Sequence, residues 1–394
     1  MTGLPDPGHH DLVVVGGGPA GACAAMAALQ ADPALDVVIV DRADFPRDKS
    51  CGDGIAPQVI DVLAELGCAD EVVDGHSPVP RLSLQLRSRG VDRPMARPTY
   101  VIPREEFDHR LITAAQRAGA TVLRRKVTDV RRGRDHLDLG DGLTGRIVIG
   151  ADGVHSVLRQ QSRQTEPRMA VALRGYAPTP ERLRGTQTIV FGHDRQPAYA
   201  WCFDRGDGLA NVGYGELLPG AHSPATKQQM IALLEELIPG TTADATAWRG
   251  AKLPLSDGGW RAGRGRLLLA GDAAGLVNPM TGEGIFYAVL TGTAAGRAAS
   301  DALASGDPFS ATTRFRAQVE PLLHRHLRHV DVAARLCRSE TVLTAGLRAA
   351  AGSQRVFDDL VELGLARGTI TPHALTALAR RLPKAVARSR RPLP

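Results

Sequence analysis

Leu12–Val15 is an unbroken apolar, β-branched run, the pattern of a strand buried on both faces. Further apolar runs follow at Val37–Val40, Arg146–Ile149 and Arg266–Ala270. Between the first two, the alanine-rich stretch Pro19–Leu29 predicts a helix, because alanine is the strongest helix former and proline is tolerated in a first turn. Pro57–Leu66 is predicted as an amphipathic helix with Val59, Ile60, Leu63 and Leu66 on one face. Another helix leads from Pro103 through Leu111, Ile112 and Ala115, and Leu233–Ile238 closes one ahead of Pro239-Gly240. Residues 80–102 alternate instead, as in Leu82, Leu84, Leu86, Tyr100 and Ile102, which predicts antiparallel strands of a second sheet. Strands are also expected at Thr121–Val130, Thr188–Phe191, Tyr199–Phe203 and Leu209–Tyr214. Glycine and proline make Phe45–Ile55 a loop, and the apolar spacing from Asp301 to Pro394 is helical.

The first two apolar runs frame a chemical motif. Gly16, Gly18 and Gly21 have the spacing G-x-G-x-x-G, and the second run ends in Asp41, 20 positions beyond the last glycine. In a strand–turn–helix–strand unit, Gly16 allows a sharp turn and Gly18 lets backbone approach a pyrophosphate. Gly21 lets helix and strand pack closely. The helix start at Pro19 and Ala20 offers free N–H groups and a positive dipole end to phosphates. Asp41, followed by Arg42, can accept hydrogen bonds from a ribose diol, so the unit points to a dinucleotide. The run Arg146–Ile149 ends in GADGVHS, which puts Asp152 where ligands bind in open α/β sheets. Arg266–Ala270 runs into Gly271-Asp272, and Gly282-Glu283-Gly284 opens a helix at Ile285. A carboxylate after a strand can hold a ribityl or ribose hydroxyl, and a helix N-terminus can stabilise a reduced flavin's negative charge. Arg104, near a helix start, is placed to reach a phosphate or a flavin edge, with a surface ion pair as the plainer reading. Cys51 stands between Lys49 and Gly52, and the nearby lysine favours its thiolate; a small buried thiol is the plainer alternative. Tyr199, Trp201 and Phe203 share one strand face and either line an apolar cavity or pack in a core.

Composition narrows the classes. A chain of 394 residues holds about two domains, and 43% hydrophobic with 23% charged residues is ordinary for a globular protein. Net charge is +6, but no basic block interleaved with aromatics points to nucleic acid. No apolar run approaches the ~20 residues of a membrane helix, and residues 1–10 do not resemble a signal peptide. The five cysteines are scattered without metal-ligand spacing, so no metal site is expected and reduced thiols in a cytoplasm are. The basic tail, residues 380–394, reads as a solvated terminus, with contact to an anionic membrane surface as the alternative.

GGGPAG with Asp41, GADGVHS and GDAAGLVNPMTGEGI, in that order, resemble the FAD-binding fold of the para-hydroxybenzoate hydroxylase superfamily. The fold implied is α/β: a Rossmann-like FAD-binding domain with an inserted antiparallel β-sheet substrate domain and a helical C-terminus. Its expected parts are FAD-binding at 1–78, 103–165 and 263–300, substrate domain at 79–102 and 166–262, and a helical region at 301–394. Within that superfamily FPRDKSCGDGI and YAWCFDRGDGLANVG are similar to segments of the geranylgeranyl reductase family, as are IPREEFD and NPMTGEGI. Asp204 and Arg205 depart from that family's usual Pro and Lys, and Asp41 from its commoner Glu. The resemblance implies an FAD-dependent reductase of isolated double bonds in prenyl or related hydrophobic molecules. It implies Cys51 and Gly52 at the flavin, Cys51 as the catalytic candidate, and Tyr199, Trp201 and Phe203 along the substrate tunnel. With a single nucleotide fingerprint, NAD(P)H or a reduced partner has to meet the flavin transiently. The competing reading is a flavin monooxygenase acting on an aromatic or polyketide substrate. The W-x-W-x-I-P motif of flavin halogenases is not found.

Overall fold

The computed structural model describes residues 8–161, 165–192, 198–218 and 224–382. Most of the basic tail therefore lies outside the described residues. The run Leu12–Val15 falls in the strand His9–Val15, with Thr144–Gly150 on one side and Val37–Asp41 on the other, both parallel to it. Leu267–Leu269 and Thr121–Arg124 extend this sheet in parallel, and Gly263–Arg264 joins antiparallel at its edge. Both faces are covered, which is why the runs are continuously apolar rather than alternating.

One cover is the helix Pro19–Ala31, and outside it lies the helix Ile285–Ala304. These two meet backbone to backbone. A Cβ on Gly292 would lie 2.1 Å from the Ala20 carbonyl oxygen, and one on Gly296 2.0 Å from that of Ala24. The alanine-rich sequence of the first helix is thus a packing requirement as well as a helix propensity.

The second sheet runs in the order Thr246–Leu255, Arg168–Pro178, Leu209–Leu218, Ala198–Asp204, Thr186–Phe191, Val79–Leu86, Arg89–Val101, Gly54–Ile55. Every pairing is antiparallel except that of Thr186–Phe191 with Val79–Leu86. There two separate excursions of the chain meet, with no hairpin to impose direction. The helix Lys227–Leu237 covers one face, packing Met230 and Leu234 on Val212 and Tyr214. Toward the other end of the sheet, the helices Glu340–Ala351 and Gln354–Leu365 pack Leu343, Leu347 and Phe357 against Leu82, Leu86 and Met95. Among the described residues no helix is long and apolar enough to cross a membrane.

Two expectations are corrected. The strand expected over Thr121–Val130 ends at Arg124. Arg125 N–H still bonds to the Asp41 carbonyl, but Val130 N–H goes to the side chains of Asp129 and Gln161 instead of a strand. The loop expected over Phe45–Ile55 ends in a short strand, because Gly54 and Ile55 pair with Val101 and Tyr100.

Gly296→Ala is expected to cost about 1 to 3 kcal/mol, because a methyl group there has to push two backbones apart. Gly346→Ala, at a helical position with open space around it, is expected to leave stability unchanged or raise it by up to about 1 kcal/mol. Urea unfolding of both variants measures the contrast.

Candidate functional site

The three glycines of the first motif are glycines for different reasons. Gly16 has φ +105°, and a Cβ there would lie 2.2 Å from the Ala151 carbonyl oxygen. A Cβ on Gly21 would lie 1.8 Å from the carbonyl oxygen of Gly16. Gly18 meets nothing closer than Arg47 Nη2 at 3.6 Å and Arg104 Nη2 at 3.9 Å. The protein fills the space at the first and third positions and leaves it open at the second, at the N-cap of Pro19–Ala31. This open cradle, flanked by two guanidinium groups, fits a pyrophosphate.

Asp41 closes the turn from the side. Its Oδ2 accepts from Gly17 N–H at 2.8 Å and its Oδ1 from Ala43 N–H at 2.9 Å. Arg104 and Asp108 are both buried, and the guanidinium donates through Nε and Nη2 at 2.6 and 2.7 Å. Arg47 Nη1 reaches the same carboxylate at 3.2 Å. Burial works against the Arg104 charge, but Asp108 outweighs it and holds the group above its ordinary value. The ion pair and the cleft-facing role are thus combined in one residue. Asp152 Oδ2 caps the short helix Val157–Gln161, accepting from Val157 N–H at 2.9 Å, while its buried Oδ1 has no hydrogen-bond partner among the described residues.

The third motif meets the other two from the opposite side. Lys49 Nζ donates to Asp272 Oδ2 at 3.1 Å. Gly284 caps the helix Ile285–Ala304, and Glu283 Oε1 accepts from Phe286 N–H at 2.7 Å. Burial pushes the Glu283 carboxyl up to about 7, against the backbone donors that pull it down.

Cys51 lies where this cleft meets the second sheet. Burial pushes its thiol up, and the neighbouring Asp53 adds to this, while Arg104 and Lys49 act in the opposite direction. Lys49 is turned to Asp272, and the direction of the shift agrees with the plainer reading of a thiol rather than with a lysine-favoured thiolate. Beyond Gly52 stand Tyr199, Trp201 and Phe203, with successive ring centroids 6.0 and 6.4 Å apart. Their alternating neighbours Ala200 and Cys202 face the helix-covered side. Trp201 and Tyr199 pair with Gly213 and Gly215 on the next strand. A Cβ on Gly213 would sit 2.2 Å from Trp201 Cζ2, so the indole lies directly on that backbone. Trp201 Nε1 donates to Asn211 Oδ1 at 2.8 Å, and the Tyr199 hydroxyl donates to the Thr281 carbonyl.

These groups border one cavity of about 900 Å³. It runs from Asp41 and Arg42 past Gly16, Gly18, Pro19, Ala20, Arg104 and Asp152 to Asp272, Gly282, Gly284 and Ile285. It then passes Cys51, Gly52 and the aromatic row to Leu343, Leu347, Leu360 and Leu375 of the C-terminal helices. Of the residues singled out in sequence, only Gly21 and Gly271 do not line it. Gly21 packs on Gly16, and Gly271 is turned inward, its N–H donating to Thr291 Oγ1 at 3.0 Å. Sequence reasoning missed Asp108, Asp53, Asn211 and Tyr176, and it gave Lys49 the wrong partner, Cys51 in place of Asp272. The arginine–aspartate spacing of four on a predicted helix was a signal for Asp108. Among the described residues there is no group of three or more His, Cys, Asp or Glu able to hold a metal.

Residues 9–175 match the family model described as FAD binding domain. Menaquinone reductase of Mycolicibacterium smegmatis is 33% identical over 357 residues, covering 83% of each chain. Digeranylgeranylglycerophospholipid reductase 1 of Methanopyrus kandleri is 33% identical over 321 residues, covering 76% of this chain and 82% of that one. A solved geranylgeranyl bacteriochlorophyll reductase-like protein of Thermoplasma acidophilum has the same fold, with a TM-score of 0.77 and 20% identity. The match covers 96% of this chain and 97% of that one.

Two predictions follow from this geometry. Gly18→Ala is expected to leave the apoprotein's melting temperature unchanged and to weaken FAD binding at least about tenfold, a loss of ~1.4 kcal/mol; flavin fluorescence titration reads it. Glu283 carries a raised carboxyl in the folded chain, so its contribution to stability is full below about pH 4.5 and is lost as pH rises through about 7. Glu283→Gln is therefore expected to melt higher than the parent apoprotein at alkaline pH, and the difference is expected to vanish on acidification.

Proposed function

Since the chain belongs to the geranylgeranyl reductase family of FAD-dependent oxidoreductases, we propose that it reduces isolated carbon–carbon double bonds in the prenyl chain of a hydrophobic molecule. A prenylated quinone of the menaquinone type is the first candidate, given the relative named above. The observation that carries this reading is the continuity of the cavity. It leaves the nucleotide cleft at Cys51 and continues along aromatic and leucine side chains into the C-terminal helices. An extended apolar chain fits such a passage, and few polar groups are needed to hold it. At ~0.8 kcal/mol per buried CH₂, a twenty-carbon chain gains on the order of 10 kcal/mol before ordering costs.

In this reading the Gly16–Gly21 turn and the N-terminus of Pro19–Ala31 hold the pyrophosphate of FAD, and Asp41 its adenosine ribose. Arg104, Asp152 and Asp272 surround the middle of the cofactor, and the N-terminus at Gly284 and Ile285 faces the flavin end. Bound and reduced, FAD supplies the hydride equivalent. The Cys51 thiol gives the proton to the second alkene carbon. Tyr199, Trp201 and Phe203 align the chain and exclude water. Electrons come from NAD(P)H or a reduced partner. The first sheet then serves the cofactor and the second sheet the substrate.

Anaerobic incubation of dithionite-reduced holoprotein with menaquinone, followed by mass spectrometry, tests this. After reoxidation of the quinol in air, a gain of two hydrogens located in the prenyl chain by fragmentation is expected, and Cys51→Ser is expected to slow it about 100-fold or more. A substrate unchanged without oxygen but oxygenated in air overturns the reading in favour of a monooxygenase.

A further inference from the structure

Two positions beyond Cys51 the chain buries Asp53 completely, and alkene reduction as described makes no use of it. Its backbone sits at φ +61°, a conformation that asparagine or glycine adopts more readily. Its carboxylate is half satisfied. Oδ2 accepts from the Tyr176 hydroxyl at 2.6 Å and from Asn211 Nδ2 at 2.8 Å, while Oδ1 is buried with no hydrogen-bond partner among the described residues. An aspartate kept in a strained turn with an unfilled acceptor costs stability, so its retention calls for a role.

Its connections point to Cys51. Asn211 Nδ2 that reaches Asp53 also donates to the Cys51 carbonyl oxygen at 2.8 Å, and Asn211 Oδ1 holds Trp201. One amide thus ties the Cys51 backbone, the Asp53 carboxylate and the aromatic strand together. The segment before Cys51 is pinned as well, through the ion pairs of Asp48 with Arg174 and Arg249. The charged groups facing Cys51 are Arg104 and Lys49 on the cationic side and Asp53 on the anionic side, with the Tyr199 phenol also near. Both cations have other anions, Asp108 and Asp272. Arg174 and Arg104 in turn face Asp53, whose carboxyl burial pushes up to about 6, leaving it largely ionised above neutrality.

We propose that Asp53 is a positioning residue for Cys51: through Asn211 it fixes the Cys51–Gly52 backbone against the aromatic strand, and its carboxylate is the anion that faces the sulfur opposite Arg104 and Lys49. This rests on the reading of Cys51 as the proton donor. A donor has to start each turnover as a thiol. A thiolate in an open cavity is also the species that electrophiles and peroxide attack. Without the Asp53 charge, only burial opposes the pull of Arg104 and Lys49 on the sulfur.

The test uses the full FAD-loaded chain. Asp53→Asn keeps an oxygen for Tyr176 and Asn211, removes the charge and puts an amide NH2 where Oδ1 stood. Asp53→Gly relieves the backbone at positive φ, so a folded second variant is available. The readout is the rate at which iodoacetamide alkylates the Cys51 peptide between about pH 6 and pH 10, by mass spectrometry, with Cys51→Ser giving the background. The apparent thiol titration is expected to fall by about one unit in both variants, raising alkylation near pH 7.5 several-fold to tenfold. An unchanged titration in two folded, flavin-retaining variants overturns the proposal. A shifted titration in a protein whose parent reduces no prenyl substrate keeps the link between Asp53 and Cys51 and removes the proposed function instead. Reduction by the parent with no shift in the variants does the reverse.

Discussion

Backbone resting directly on backbone shapes the cleft. Gly16 lies against Ala151, Gly21 against Gly16, Gly292 against Ala20, and Gly296 against Ala24. Since Ala20 meets Gly292 and Ala24 meets Gly296, the helices Pro19–Ala31 and Ile285–Ala304 run in the same direction. Both N-termini therefore face the same cavity. The contact begins at the second residue of one helix and the eighth of the other. At 1.5 Å per residue, the second N-terminus projects about 9 Å beyond the first. Two positive helix ends spaced in this way suit an elongated ligand with one anionic group at its middle and another locus of charge at its end. The spacing is a consequence of which small residues meet, and no bulkier pair preserves it.

This explains how much of the fold was legible in sequence. Glycines required by steric contact sit at fixed intervals after apolar runs, and both signals are local. The parallel sheet, the glycine turn and the aromatic strand can all be read from neighbours within a few positions. The strand expected from Thr121 runs too far because Val127 and Val130 resume the β-branched pattern after the basic Arg124-Arg125-Lys126, while pairing with Val37–Asp41 ends at Arg124 and Val130 N–H bonds to the side chains of Asp129 and Gln161. The parallel junction between Val79–Leu86 and Thr186–Phe191 depends on two segments a hundred residues apart, and no local pattern encodes it.

The site was legible in outline and not in charge. Lys49 beside Cys51 suggests a thiolate by proximity in sequence, but its ammonium group is drawn to Asp272, more than two hundred positions away. Asp53 sits as close in sequence and carries the opposite effect, visible only once burial is known. Asp108 is an ordinary acidic residue until the fold removes it from water, and Glu283 until the fold sets it on the wall of the cavity. The aromatic face illustrates the converse. Alternation alone puts Tyr199, Trp201 and Phe203 on one side, and it was the paired glycines of the next strand that made space for the rings. Those glycines stand in the segment NVGYG, so the partner of the aromatic motif was present in the sequence without a local reason to be recognised.

Among the described residues, the C-terminal cover is bound to the loop that carries Gly282 and Glu283 at one end only. Asn278 Nδ2 donates to the carbonyl oxygens of Leu363 and Gly364 at 3.1 and 3.2 Å, and Thr281 Oγ1 donates to Gly364 at 2.7 Å. Burial lowers the His326 imidazole below its ordinary value; Nδ1–H donates to the Gly368 carbonyl oxygen, and Nε2 pairs with the Tyr287 hydroxyl, each at 2.6 Å. The loop that carries Gly282 and Glu283 and the end of Gln354–Leu365 therefore form one hydrogen-bonded unit. The helix Pro372–Arg381 is different: it buries no residue, and Leu375 is 50% exposed although it borders the cavity. Local opening costs least where few apolar groups are buried. Displacing this last helix leaves the polar network at Asn278 and His326 intact, whereas displacing Gln354–Leu365 breaks it and moves the loop beside the flavin end. The cavity's outer wall and its reactive end are thus mechanically separate, although one continuous space joins them.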